Sequence, residues 1–139
     1  MAQANQNIME SNPVVKPVFQ VILLAWLIPG AGHLYIGRVW KGVLFFVCLT
    51  FTFIFGLMLQ GVIFIPGGED TQTLLISLFG TIGDFGVGLY YILCLFFYHL
   101  EGEITYQYYE IGMLFTLVAG VFNYLIIVDA LDICKGRKV

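Results

Sequence analysis

The sequence has little charge. Only 11% of its 139 residues are Asp, Glu, Lys or Arg, against about a quarter in soluble domains. A soluble surface needs those side chains to cover it, so soluble enzymes and disordered tails are excluded as classes. Six Lys and Arg against nine Asp and Glu, a net charge of −3, provide no basic footprint for nucleic acid. Cysteine is scarce too: Cys48, Cys94 and Cys134 are far apart and form no C-x-x-C, which excludes a disulfide framework and a cysteine zinc site. No H-E-x-x-H, phosphate loop or nucleophile–base–acid set is present. The inventory therefore reads as non-catalytic, with no soluble small-molecule substrate identified. Apolar residues dominate instead: 60% are hydrophobic, 17% are aromatic, and the mean hydropathy is +0.92. The expected class is an all-α, polytopic transmembrane helical bundle.

A membrane helix needs about 17–25 mainly apolar residues. Four segments qualify: 18–36, 42–65, 74–98 and 111–128. The first is broken at Pro29-Gly30, and the third carries one charge, Asp84. This divides the chain into a polar N-terminal arm over 1–17, a transmembrane helical domain over 18–132 and a basic tail over 133–139. The arm has no basic region before an apolar core and no small-residue cleavage site after it, so it is expected not to be a signal peptide. Its Pro13 and Pro17 favour extended chain, and Ile8, Met9, Val14 and Val15 offer apolar contacts, the composition of a docking arm.

Orientation is contradictory on this reading. Four spans put Lys16, Lys135, Arg137 and Lys138 on one side, and Arg38 and Lys41 on the other. The excess favours cytoplasmic termini by the positive-inside rule, yet Arg38 and Lys41 occupy the shortest loop. A re-entrant 18–36 segment would bring that pair inside, but three spans would then send the basic tail outside.

The most specific string is Pro29-Gly30-Ala31-Gly32-His33-Leu34-Tyr35-Ile36-Gly37-Arg38, followed by Trp40-Lys41-Gly42. Pro29 stops a regular helix, Gly30 and Gly32 permit close backbone approach, and Tyr35, Arg38, Trp40 and Lys41 are interfacial anchors. Together these make a tight corner near one membrane face, for packing or for a ligand or lipid headgroup.

This string resembles the TM-two domain family, whose two helices are joined by a P-G-x-G-x-x-Y-x-G-R-like corner. Residues 123–132, running from Asn123 into Asp129-Ala130-Leu131-Asp132 and then Gly136-Arg137-Lys138, are similar to the tail of a group of uncharacterised bacterial multi-pass proteins. The resemblance implies a bacterial inner-membrane protein and no particular activity. It leaves the third segment and the acidic loop over 100–110 unexplained.

Asp84 lies ten residues into its segment, roughly 15 Å deep and close to the bilayer middle. An ionised carboxylate there costs at least about 2.5 kcal/mol. It is a candidate for a proton or ion route, or for a neutral hydrogen-bonded group at a helix contact. Gly80, Asp84 and Gly88 share one face at i, i+4, i+8, and Gly112, Thr116 and Gly120 repeat the pattern on the last segment. Small residues at that spacing let helices approach closely. An antiparallel pairing of the two segments about residue 105 would set Asn123 within a turn of Asp84, while Gly56 is expected to face lipid or a looser contact.

His33 and His99 lie near segment ends. Each is a candidate for interfacial hydrogen bonding or for axial ligation of haem or chlorophyll. Cys48 and Cys94 are expected as small apolar packers. Asp129 and Asp132 share a face with Lys135 and are placed to pair with it. Tyr106, Tyr108 and Tyr109 suit an aromatic belt, and Glu101, Glu103 and Glu110 a solvated acidic loop.

Three functions fit this inventory. The first is an accessory subunit of a larger membrane complex, of the kind found in respiratory or photosynthetic assemblies, with other transmembrane subunits and membrane lipids as partners. The second is a small oligomeric channel or proton- or ion-coupled transporter using Asp84. The third is a pigment- or lipid-binding protein using His33 or His99. Bound lipid is expected in each; a chlorophyll, carotenoid or haem contact belongs to the first and third.

Overall fold

The computed structural model describes residues 17–67, 71–97 and 107–137. Among them every regular element is α-helical: α1 (Val18–Leu27), α2 (Ala31–Ile36), α3 (Val39–Met58), α4 (Thr71–Phe85), α5 (Leu89–Phe97) and α6 (Tyr109–Cys134). The docking arm expected over 1–17 falls, except for Pro17, outside the described residues.

Among the described residues, two helices are long and apolar enough to cross a membrane unbroken: α3, of 20 residues, and α6, of 26. At 1.5 Å per residue they are roughly 30 and 39 Å long, against a hydrocarbon core of about 30 Å. They pack antiparallel. The start of α3 at Leu44 and Phe45 shares a groove with Asp129, while near its end Gly56 lies against Gly112 and Thr116. Gly56 is therefore buried at a helix contact rather than turned to lipid: a Cβ there would sit 2.9 Å from the Gly112 carbonyl oxygen.

The other two apolar segments are folded back on themselves. In the first, α1 runs antiparallel to α6, from Val21 near Ala130 to Ala25 beside Asn123. With 10 residues it spans roughly 15 Å, half the hydrocarbon core. Pro29 ends it, Gly30 turns the chain with φ 81°, and α2 returns. Across this hairpin Gly32 packs on Ala25, and the Tyr35 hydroxyl donates to Gln20 Oε1 at 2.8 Å.

The continuous helix expected over 74–98 is not formed. α4 and α5 are bent by 117° at the break between them. α4 runs beside α6 in the same direction, Gly83 against Leu117 and Gly86 against Gly120. α5 then runs back along α3: Tyr90 meets Thr50 and Phe53, and Leu93 lies by Ile54 and Leu57. The bend sits at Gly86-Val87-Gly88. Gly88 has φ 53°, and a Cβ on it would strike the Trp26 carbonyl. Gly88 therefore marks the turn and does not continue the face of Gly80 and Asp84.

Two hairpins thus enter from opposite faces and meet tip to tip. The Trp26 Nε1–H donates to the Phe85 carbonyl at 2.9 Å, and the two rings lie 4.9 Å apart. Val87 shares a buried cluster with Leu49 and Ile126. Leu49 is halfway along α3, so the tips meet near the bilayer middle.

This topology removes the charge contradiction. Because α3 and α6 are antiparallel, Arg38 and Lys41 at the start of α3 lie on the same face as Lys135 and Arg137 after α6. In sequence, Lys16 stands two residues before α1 and Lys138 follows Arg137. The opposite face receives the end of α3, the starts of α4 and α6 and the end of α5. Glu69, Asp70, Glu101 and Glu103 fall in the segments joining those ends, and Glu110 opens α6.

Candidate functional site

Re-entrant backbone inside a bilayer has no water to bond with, so the protein must satisfy its N–H and C=O groups itself. Here polar side chains do so at the helix breaks. Asn123, fully buried on α6, donates from Nδ2 to the Gly86 carbonyl at 2.7 Å and to the Ala25 carbonyl at 3.2 Å. One amide therefore holds both hairpin tips. Asp84, also fully buried, accepts from the Phe64 N–H at 2.7 Å, while the nearby Thr116 hydroxyl donates to the Met113 carbonyl at 2.9 Å. The extended stretch over 61–65 is bonded further: the Tyr91 hydroxyl donates to the Phe64 carbonyl at 3.2 Å. Ser77 donates to the Ile65 carbonyl and accepts from the Gly67 N–H. On α4, the Tyr124 hydroxyl donates to the Ile82 carbonyl at 2.7 Å.

Small residues make these contacts possible. Gly120 lies directly under the Gly83 carbonyl, Gly112 lies against Gly61, and Gly80 is covered by the Phe64 ring. Of the glycine faces foreseen on α4 and α6, only Gly120 lies against the other helix, at Gly83 and Asp84; Gly80 is covered by Phe64, Gly88 packs on Trp26 and Gly112 packs on Gly56 and Gly61. The register of α4 on α6 follows from a parallel pairing, not from an antiparallel hairpin about residue 105. Gly83 stands opposite Gly120, and Asn123 reaches Gly86, two residues beyond Asp84.

The corner motif forms a second polar group at the basic face. His33 is fully buried, and its Nε2 lies 3.0 Å from Asp129 Oδ2. Lys41 Nζ lies 3.9 Å from the same oxygen. Phe45 packs edge-on to the imidazole, 5.1 Å between ring centroids. Asp129 is thus directed to the corner, and Asp132 faces Arg137 at 3.8 Å, in place of the pairing foreseen with Lys135. Pro29 and Gly32 are buried in the corner, while Gly37 and Arg38 are exposed at its end.

His33 Nε2 is thus engaged with a carboxylate, and its Nδ1 is buried with no hydrogen-bond partner among the described residues. His99 falls outside the described residues, as do Glu101, Glu103 and Tyr106. Among the described residues no group of three His, Cys, Asp or Glu converges as a metal site. Cys94 is buried as expected, but Cys48 is exposed on the groove side of α3. Trp26, Ser77, Tyr91 and Tyr124 were not foreseen as site residues. Each lies in an apolar run, and only the break beside it gives its polar atom a partner.

Among the described residues, the fold and these two polar groups define an all-helical membrane protein with two helices long and apolar enough to span and two opposed broken hairpins joined tip to tip. The chain belongs to the family of unknown function DUF6677, which matches residues 20–139. No curated protein and no solved structure matches it significantly.

Proposed function

We propose that this protein is a non-catalytic accessory component of a larger assembly in a bacterial inner membrane, with its basic face and both termini in the cytoplasm. One observation carries the reading: at the helix breaks Asn123, Asp84, Ser77 and Tyr91 each hold backbone groups, so these polar side chains serve the fold itself. Function then falls to the outward surface. That surface is apolar along the spans, with Trp40 almost fully exposed beside Lys41 at the basic edge. The clustering of Lys and Arg at that edge supports its cytoplasmic placement.

The test is mild-detergent purification followed by mass spectrometry, with proton and cation flux measured in liposomes. A stoichiometric set of larger membrane subunits with no flux is the expected result. Thiol labelling checks the orientation: Cys134 should react from the cytoplasmic side and an introduced Gly67→Cys from the other.

A second reading, a small proton or cation conductor using Asp84, draws on Asp84 Oδ1 and Asn123 Oδ1. Both are buried at mid-depth with no hydrogen-bond partner among the described residues. Broken helices meeting at the midplane are where transporters place coupling ions. Flux that disappears in Asp84→Asn, with assembly unchanged, would replace the accessory reading with this one.

A further inference from the structure

We propose that the groove between α3 and α6 binds one acyl chain of an anionic diacyl phospholipid, whose phosphate is held at the basic face by Lys41 and Arg38. The groove has a volume of about 610 Å³. Leu44, Cys48 and Thr52 line its α3 side, and Phe122, Leu125 and Asp129 its α6 side. Its interior is apolar: the Thr52 hydroxyl donates to the Cys48 carbonyl at 2.8 Å, which leaves Asp129 as the polar marker of one end.

That end is the basic one. Helical periodicity puts Lys41 on the same stripe of α3 as Leu44, Cys48 and Thr52, one turn beyond the groove, and its Nζ is 3.9 Å from Asp129 Oδ2. Arg38 lies nearly one turn further out and is exposed. On the face where the groove opens, the ends of α3 and α6 carry four cations, Arg38, Lys41, Lys135 and Arg137, against two carboxylates, Asp129 and Asp132. A basic pocket between transmembrane helices is the recurring recognition pattern for anionic head groups. A head of zero net charge gains little from that excess. The site is independent of the accessory reading, since the groove belongs to the chain whether or not partners copurify.

Native mass spectrometry of the full-length protein in mild detergent tests this, with phosphatidylglycerol and phosphatidylcholine of matched chains as probes. One phosphatidylglycerol should be retained at a concentration about fivefold below that needed for phosphatidylcholine. Lys41→Gln should bring phosphatidylglycerol down to the phosphatidylcholine level. Cys48→Trp, which fills the groove, should remove retention of both, while Cys48→Ser keeps it. If Cys48→Trp does not elute as the wild type does, Leu125→Trp on the opposite wall takes its place. Equal retention of the two lipids, or retention unaffected by Lys41→Gln and by the groove-filling variant, overturns the proposal. So does a dimer that the groove-filling variant dissociates, because the groove is then held by a second copy of the chain.

Discussion

His33 and Asp129 are 96 positions apart in sequence and 3.0 Å apart in the fold. This pair ties the two motifs that stood out in the sequence, the proline–glycine corner and the acidic tail of the last helix, into one joint at the basic face. Lys41 lies beside the same carboxylate. The first hairpin is thus anchored to α6 at its base by this joint and at its tip by Asn123.

The joint should show energetic coupling. His33→Ala and Asp129→Ala each remove one partner, and their combined effect should fall short of the sum by about 1–2 kcal/mol. A double-mutant cycle on unfolding in detergent measures it. Additive effects would mean that the contact holds nothing.

Asn123→Ala should destabilise the protein by about 1–3 kcal/mol, because two carbonyls at the hairpin tips lose their donor inside the bundle. Asn123→Asp, which loses the amide donors but keeps the shape, should be similarly harmful. Thermal unfolding of the detergent-solubilised protein distinguishes this from a neutral packing role.

For Asp84 the two obvious substitutions should diverge. In Asp84→Asn the side-chain oxygen still accepts the Phe64 N–H, so stability and assembly should stay within about 0.5 kcal/mol of wild type. Asp84→Leu orphans that N–H and should cost about 1–3 kcal/mol. Equal behaviour of the two variants in unfolding assays would remove the structural role assigned to the carboxyl.

The glycines at backbone contacts should be intolerant. Gly120→Leu and Gly56→Leu both force backbones apart, at Gly83 and at Gly112, and should abolish the monodisperse fold. Gly67→Ala should lie within about 0.5 kcal/mol of wild type, since nothing stands within 4 Å of its added Cβ. Size-exclusion profiles of the three variants provide the comparison. A tolerated Gly56→Leu would contradict the close α3–α6 approach.

Much of this protein was determined locally. Lack of charge and four apolar runs were enough for a helical membrane class, because lipid accepts little else. Pro29-Gly30 marked the first break, since a proline removes a helix donor whatever surrounds it. Asp84 was marked by the burial penalty of its charge, and Asn123 by its place one turn beyond the glycine pattern of the last segment. The second break was not legible in this way: Gly88 was read as one more small residue on the continuous helix face of Gly80 and Asp84. Only the Trp26 backbone pressed against Gly88, and Asn123 bonded to Gly86, select the turn. The direction of α4 relative to α6, the burial of Gly56 and the gathering of Arg38, Lys41, Lys135 and Arg137 on one face all follow from that choice. Each depends on contacts between residues tens of positions apart, which composition and periodicity along a single segment do not encode. The His33–Asp129 joint is of the same kind: both residues were visible as motifs, but their pairing required a hairpin that turns back at mid-membrane and an antiparallel α6 to meet it.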